Sequence, residues 1–353
     1  MVQKNILLIL TGGTICSFSN SNGEQSADTQ KAQTVIVENF RKSTSVYSSE
    51  DCVAFNPISP LNILSENMNI NTWNTLINSL KKQNFSSCDG VIILHGTDTL
   101  AYTASLLSLL LAGITVPVIM VSSQLAPYNP DANGNANFKA AVELICNGIK
   151  PNIYAVYRNE ENDKSKTMYV HYASHLLQCA NHSNNFYSAD MTPISSDNAV
   201  FEGKKSPTTS MLLNDERFSN LCAKVLKIQP YVGLDYNSFS LKGVDAIVHG
   251  TYHSTTAATI DNPQSADYNN SIIYLKKELC DKQNPPIPVF MEPYLQTTYE
   301  TTGDALRCGI LPIKGLTSEM AYVKVLVGCS MELRDKALYD FIDTNINNEF
   351  LSN

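Results

Sequence analysis

The chain has 353 residues, 43% of them apolar, so at about 100 to 200 residues per domain it is long enough for two domains that hold a core without disulfide or metal staples. Its net charge of -8, from 25 Lys and Arg against 33 Asp and Glu, repels phosphate backbones and anionic lipid heads, and no Lys/Arg run exceeds two residues. Nine cysteines scattered without a CxxC pair point to reduced thiols in a cytoplasm, and the apolar stretches fall far short of the roughly 18 residues a membrane span needs.

In chain order, Ile6 to Leu10 reads as a first strand rather than a secretory signal, since its short apolar run lacks a small-residue cleavage site. Thr11-Gly12-Gly13-Thr14-Ile15 follows directly. Two glycines at a strand's carboxyl end let the backbone turn tightly and approach a ligand, leaving the Thr14 hydroxyl at the sheet edge where α/β proteins bind. A plain glycine turn with a surface threonine fits the same residues. The Ser/Asn-rich stretch Ser17 to Asn22, with Gly23, suggests a mobile lid. Further on, Ser65 reads as a cap on the helix that carries Trp73.

A second buried strand, Gly90 to Leu94, runs into His95-Gly96-Thr97-Asp98-Thr99 and a helix over Leu100 to Ala112, which Asp98 or Thr99 can cap and Gly113 can end. Capping alone would explain that motif. The pairing of two strand-turn units, each ending in Gly-Thr, adds something more: two hydroxyls and one carboxylate can then surround one crevice at a topological switch point. Later apolar runs, Val116-Val121, Ile153-Tyr157, Ala246-His249 and Pro288-Met291, alternate with helical stretches, the pattern of a parallel sheet covered on both faces. The expected class is α/β: a large N-terminal domain over 1–205 with a mainly parallel sheet, a polar linker over 206–222, and a smaller, Rossmann-like α/β domain over 223–353.

Three further patterns carry less. Asp89 to Thr97 is echoed by Asp245 to Thr251, which related halves or the small vocabulary of buried strands explain equally. His171 and His175 have the i, i+4 spacing of a helical metal pair, but without HExxH, CxxC or a third ligand they read as hydrogen-bonding histidines. Thr251-Tyr252-His253-Ser254, at another strand end, reads as turn chemistry. Neither a Walker A pattern nor GxGxxG occurs, so no nucleotide is expected.

The two threonine segments, Leu10-Thr11-Gly12-Gly13-Thr14-Ile15 and Gly90 through His95-Gly96-Thr97-Asp98-Thr99 to Ala104, resemble the signatures of the bacterial-type L-asparaginase/glutaminase family. The similarity continues through Val116-Pro117-Val118-Ile119, Ser122-Ser123-Gln124 and Asn133 to Asn137. It returns in Thr298-Tyr299, Gly303 to Leu306 and Thr317-Ser318-Glu319, where it looks most like the cytoplasmic, type I branch. The resemblance implies hydrolysis of a side-chain amide to carboxylate and ammonia, without metal or organic cofactor. Thr14 matches the nucleophile and Thr97 the second catalytic threonine. Asp98 matches the carboxylate that takes the substrate ammonium, and Ser65 the serine that holds the α-carboxylate, with Glu66 beside it.

Departures from the family pattern concern proton transfer. Counted without gaps, the place of the family's lysine falls on Tyr169; Lys166 and Lys164 lie at odd offsets from it, which in a strand means the other face. From Ile15 to Val46 no tyrosine occurs where many relatives carry a catalytic one. Tyr299, matching a type I tyrosine that reaches a neighbouring subunit's site, can take that role, or it is a packed aromatic. The expectation is a cytoplasmic, homo-oligomeric asparaginase with asparagine as substrate and no nucleic-acid or membrane partner. An impaired amino-acid-binding relative and an amidase for another amide, such as glutamine, are the alternatives. The asparaginase-like subunit of the tRNA-dependent amidotransferase is set aside on the negative charge and on a first strand beginning at residue six.

Overall fold

Leucine, isoleucine and valine runs without polar alternation need cover on both faces, and a parallel sheet between helices supplies it. The computed structural model describes residues 2–19, 22–160, 166–195, 197–294 and 299–351, with Lys166 through its backbone alone. The chain divides into two units, Met1–Glu216 with Ile346–Asn348, and Arg217–Asn345 with Glu349–Asn353.

The first unit runs β1 (Lys4–Leu10), β2 (Ser17–Ser19), β3 (Gln25–Ala27), α1 (Thr29–Arg41), β4 (Val53–Ile58), α2 (Ile70–Lys81), β5 (Gly90–Leu94), α3 (Leu100–Leu110), β6 (Val118–Val121) and α4 (Gly134–Cys146). It continues with β7 (Ile153–Glu160), β8 (Lys166–Tyr172), β9 (Leu176–Leu177), β10 (Tyr187–Ser188) and β11 (Thr192–Ile194). Among the described residues its main sheet has the order β11-β8-β7-β6-β5-β1-β4. From β4 to β7 the pairing is parallel, and β8 and β11 add antiparallel strands at one edge. Ile6, Leu8 and Leu10 pack with Ile36 and Phe40 of α1 and Phe138 of α4 in one core. The alternate residues Leu7, Ile9, Val91 and Ile93 are buried on the other face. There Trp73 of α2 donates from Nε1 to Thr103 Oγ1 of α3 at 3.0 Å.

Register decides where the site forms. β1 and β5 are neighbours with Leu10 opposite Leu94, so both threonine loops leave the sheet at one level. The chain after β1 goes to β4 on one side, and the chain after β5 goes to β6 on the other, which makes their shared end a switch point.

The second unit has a four-stranded parallel sheet in sequence order, β12 (Val225–Ile228), β13 (Ala246–Gly250), β14 (Val289–Tyr294) and β15 (Leu311–Lys314). Its helices are α5 (Ile272–Tyr274, continuing as a π-helical stretch Leu275–Cys280), α6 (Glu300–Arg307), α7 (Ser318–Ser330) and α8 (Asp335–Asp343). Lys324, fully buried on α7, donates from Nζ to Thr344 O and to Glu349 Oε1, each at 2.5 Å. Cys280 and Cys329 are buried thiols of this unit. In the first unit, Asn347 Nδ2 donates to Ser108 O at 3.0 Å and to Asn152 Oδ1 at 3.0 Å.

The Asp89 and Asp245 echo is a repeated local geometry. Asp89 donates its N–H to Asn5 O at 2.8 Å and accepts the Asn5 N–H at 2.8 Å. Asp245 does the same with Lys224, at 2.9 Å in each direction. At the other end of each strand a buried histidine turns Nδ1 onto the next glycine's carbonyl, His95 onto Gly96 O at 2.8 Å and His249 onto Gly250 O at 2.6 Å.

Candidate active site

Three segments meet at the β1 and β5 ends because glycine leaves them room. Gly12 and Gly13 both adopt positive φ, +112° and +77°, which favours glycine. Gly13 N donates to Ile63 O at 2.7 Å. A methyl group on Gly13 would lie 2.1 Å from Gly96 Cα, and one on Gly96 would lie 2.4 Å from Ser65 Oγ. The residues preceding Thr14 and Thr97 are therefore in direct contact, with Ser65 against the second. Thr14, half-buried, opens the short 3-10 turn Thr14–Cys16, which Ser17 Oγ braces by donating to Gly13 O at 2.9 Å. The thiol of Cys16 is wholly buried beneath that turn, and burial pushes it up to about 12.

Asp98 and Thr99 do not cap α3 with their side chains, contrary to the capping expectation. Instead, buried Ser65 Oγ donates to Asp98 Oδ2 at 2.8 Å and accepts the Asp98 N–H at 3.2 Å, while Thr99 Oγ1 donates to Ser65 O at 3.0 Å. Ser65 is also not the cap of the Trp73 helix. That role belongs to Asn69, in a capping box with Thr72, because Ser65 begins a separate 3-10 turn. Ser65 thus lies close against Gly96 and holds the Asp98 carboxylate. Glu66 is exposed beside it. His95 is buried, and that burial lowers it to about 4, so it is neutral at physiological pH.

A hairpin supplies a further wall. β9 and β10 pair Leu177 with Tyr187, and Gln178 to Phe186 form the tip. Two asparagines bind it to β7 in ladder fashion. Asn159 Nδ2 donates to Phe186 O at 2.8 Å while its Oδ1 accepts the Phe186 N–H at 3.0 Å. Asn185 makes the reciprocal pair with Glu160, at 2.9 Å each way. Gln178 Nε2 donates to Thr97 O at 2.8 Å, and its Oε1 accepts the Ala101 N–H at 3.2 Å. At the hairpin's base, His171 Nδ1 lies 2.9 Å from Ser188 Oγ and His175 Nδ1 lies 2.8 Å from Asp190 Oδ2. The two histidines therefore sit on β8 and the turn after it, not on one helical face. Among the described residues no three His, Cys, Asp or Glu side chains are grouped to hold a metal ion. Between Thr97, Asp98, Gln124, Tyr157 and the tip lies a cavity of about 410 Å³.

β2 and β3 form a small hairpin directly after the Thr14 turn, with Asn20 and Ser21 of the expected lid outside the described residues. A tyrosine does serve this hairpin, but from another loop. Tyr128 stacks on Phe18 at 5.7 Å, its hydroxyl lies 2.7 Å from Ser19 Oγ, and Gln25 Nε2 donates to it at 3.1 Å. Tyr128, Tyr157 and Gln178 carry no sequence signal, because each acts through a contact between segments far apart in the chain. In the β7 to β8 ladder Tyr169 stands opposite Tyr157 and Lys166 opposite Glu160, an odd offset with no bulge between them. The Lys166 side chain, Lys164 and Thr298 lie outside the described residues. Tyr299 belongs to the second unit, exposed, just before α6. Thr251 Oγ1 donates to Pro293 O at 3.0 Å, a bond between the ends of β13 and β14, while the turn itself is closed by the Thr255 N–H donating to Tyr252 O at 2.8 Å.

Comparison with known proteins agrees on one group. Residues 5–201, more than half of the chain, match the family model "Asparaginase, N-terminal". A glutamyl-tRNA(Gln) amidotransferase subunit of Methanococcus maripaludis strain C6 is 27% identical over 342 residues, covering 92% of this chain and 75% of the relative. The subunit of the same name from Thermococcus kodakarensis is 31% identical over 145 residues, 40% of this chain and 29% of that protein. Among solved structures, the thermostable L-asparaginase from Thermococcus kodakarensis superposes with TM-score 0.73 at 22% identity, covering 99% of this chain and 100% of that one. L-asparaginase I from Vibrio cholerae gives 0.70 at 19%, with coverage of 99% and 100%. At such identities the structural likeness speaks to the fold.

Proposed function

The chain belongs to the asparaginase family, a family of amidohydrolases, and from that premise we propose that it hydrolyses the side-chain amide of L-asparagine to L-aspartate and ammonia with Thr14 as nucleophile. The observation that carries the reading is the contact of Gly13, Gly96 and Ser65, which draws the Thr14 turn, Thr97 and Asp98 into one crevice at the switch point. Thr14 Oγ attacks the amide carbon, the C–N bond breaks, and ammonia leaves with the hydroxyl's proton. Water then cleaves the ester, releasing aspartate and restoring Thr14. Asp98, oriented by Ser65, takes the α-ammonium as a charge-assisted hydrogen bond. Ser65 and Glu66 are assigned to the α-carboxylate end of the substrate. Thr97 is the second hydroxyl of the reaction.

In the same reading Tyr299 transfers a proton at the site of a neighbouring copy, in a homodimer or homotetramer, and its exposure is compatible with that use. Nine free thiols favour a reducing, cytoplasmic setting, and among the described residues no helix is long and apolar enough to cross a membrane. The test is ammonia release from L-asparagine. Wild-type protein should release it, and Thr14→Ala should lose at least about a thousandfold in kcat. Release by Thr14→Ala at the wild-type rate would overturn the assignment. Mixed oligomers of Thr14→Ala and Tyr299→Phe chains should regain turnover, and verified subunit exchange without recovery would remove Tyr299 from the site.

The relatives named as amidotransferase subunits favour a second reading: a role in glutamyl-tRNA(Gln) amidotransferase with the glutamine side chain as amide donor. The net charge of -8 opposes direct tRNA contact by this chain but not such a supporting role. Preference for L-glutamine over L-asparagine, with turnover stimulated by a charged-tRNA system, would favour it.

A further inference from the structure

We infer that the cavity beyond Thr97 is a second binding subsite, which takes a neutral, hydrogen-bonding substituent on the nitrogen of the scissile amide and uses Tyr157 to select it. The inference rests on the amidohydrolase reading of the same site and names its substrate class: secondary amides of aspartate.

Size comes first. About 410 Å³ lies within the roughly 300 to 1,000 Å³ of ligand pockets and equals the share of about a dozen liquid waters, more than asparagine alone fills. The second observation is an orphan. Tyr157 lines the cavity and is 1% exposed, and among the described residues its O–H finds no acceptor. The Asn133 amide lies beside it: Oδ1 accepts the Gln124 N–H at 3.0 Å, one Nδ2 hydrogen goes to Arg158 O at 2.9 Å, and the other is left to face the phenol oxygen, so what lacks a partner is the phenol's own O–H. A buried hydroxyl left unpaired is destabilising unless a ligand satisfies it. The ring meets Phe186 edge to face at 4.8 Å, a contact that favours its place in the wall. Burial raises Tyr157 to about 12, so it stays protonated at neutral pH, a donor and acceptor rather than a base.

The wall chemistry sets the charge of the ligand. Gln124, Asn181, Ser183 and Asn184 are neutral hydrogen-bonding residues, His182 adds an imidazole, and burial raises the Cys179 thiol. Asp98 is the wall's carboxylate, and in the proposed function it is matched by the α-ammonium. An anionic extension would meet the Asp98 carboxylate, whereas a hydroxyl or amide finds hydrogen-bonding partners along the wall. Geometry sets the side. Thr97, the second hydroxyl of the proposed reaction, and Asp98 form part of the cavity's wall, whereas Thr14 and Ser65, the latter assigned to the α-carboxylate, are not on it. A space bounded by Thr97 and away from Ser65 adjoins the amide end of the substrate rather than its carboxylate end. In turnover the C–N bond breaks as Thr14 Oγ bonds to the acyl carbon, and the substituted amine departs with the proton from that hydroxyl. Water then yields aspartate and regenerates Thr14.

The test measures aspartate formation from L-asparagine and from N4-(2-hydroxyethyl)-L-asparagine. Wild-type kcat/KM on the substituted amide should at least equal that on L-asparagine, and Tyr157→Phe should lower the ratio of the two about tenfold. Because the O–H has no acceptor among the described residues, Tyr157→Phe should leave Tm nearly unchanged. A lowered Tm, an equal loss on both amides, or turnover of L-asparagine alone would overturn the subsite while leaving the amidohydrolase reading intact. If neither amide is hydrolysed, that reading falls, and calorimetry with both amides on Thr14→Ala and on Thr14→Ala with Tyr157→Phe decides the subsite separately. Tighter binding of the substituted amide that drops about tenfold without the hydroxyl upholds it; equal affinities refute it.

Discussion

At the scale of single residues, absent side chains do as much as present ones. Gly13 and Gly96 touch because neither has a Cβ, and Gly13 also holds φ at +77°. Gly13→Ala should therefore cost about 1 to 3 kcal/mol from backbone strain and overpacking, visible as a lowered urea midpoint, and should abolish turnover by parting the two loops. Gly13→Ala with full activity would mean that the crevice is not the reacting site. Asp98→Asn keeps a partner for Ser65 but removes the charge, so kcat/KM for asparagine should fall roughly a hundredfold with little change in Tm. Wild-type protein should also use succinamate, which lacks the ammonium, as poorly as the variant uses asparagine. Thr14 and Thr97 were legible in the sequence because a strand followed by glycine is a local signal. Ser65 was only half legible: its spacing suggested a helix cap, whereas its bonds go to Asp98 and Thr99, over 30 residues away.

Among elements, strands announced themselves and the β9 to β10 hairpin did not. Buried runs at Gly90–Leu94, Ile153–Tyr157 and Ala246–His249 coincide with β5, β7 and β13 because uninterrupted apolar sequence has few other places to go. The hairpin's two-residue strands carry no comparable pattern, and its attachment is made by side-chain amides standing in for a backbone ladder. Asn159→Ala removes both bonds to Phe186, leaving a backbone N–H and a carbonyl unpaired. Stability should drop by about 1 to 3 kcal/mol, and limited proteolysis between Gln178 and Phe186 should quicken before the rest of the chain yields. Unchanged cleavage would show that Asn185 and Gln178 hold the tip unaided.

For the whole molecule, the expected α/β class follows from alternation of strand and helix, but the return of Ile346–Asn348 to the first unit has no sequence signature. The buried pair of Lys324 and Glu349 makes a sharp case. Glu349→Ala strands an ammonium in the interior and should cost about 3 to 5 kcal/mol, whereas replacing both, with Lys324→Met and Glu349→Leu, should be far milder. A double variant as unstable as the single one would refute that account. Acid should act on both units together. Burial lowers His95, His171 and His249 to about 4 from an ordinary 6.5, so in the folded state each takes up its proton only well below the pH at which the unfolded chain does. Their contribution to stability is intact above about pH 6.5 and is lost progressively as pH falls toward 4. Urea midpoints should decline through that window, and less steeply once any of the three is replaced by Gln.

The buried thiols give the molecule an internal clock. Cys16 beneath the nucleophile turn, and Cys280 and Cys329 in the second unit, are each pushed up to about 12 by burial, so an alkylating reagent meets a reactive thiolate there only when the surrounding structure opens. Modification rates resolved by peptide would then read two opening equilibria without an added tryptophan. A ligand bound in the crevice should retard Cys16 in proportion to its occupancy while leaving the other two to keep their own time.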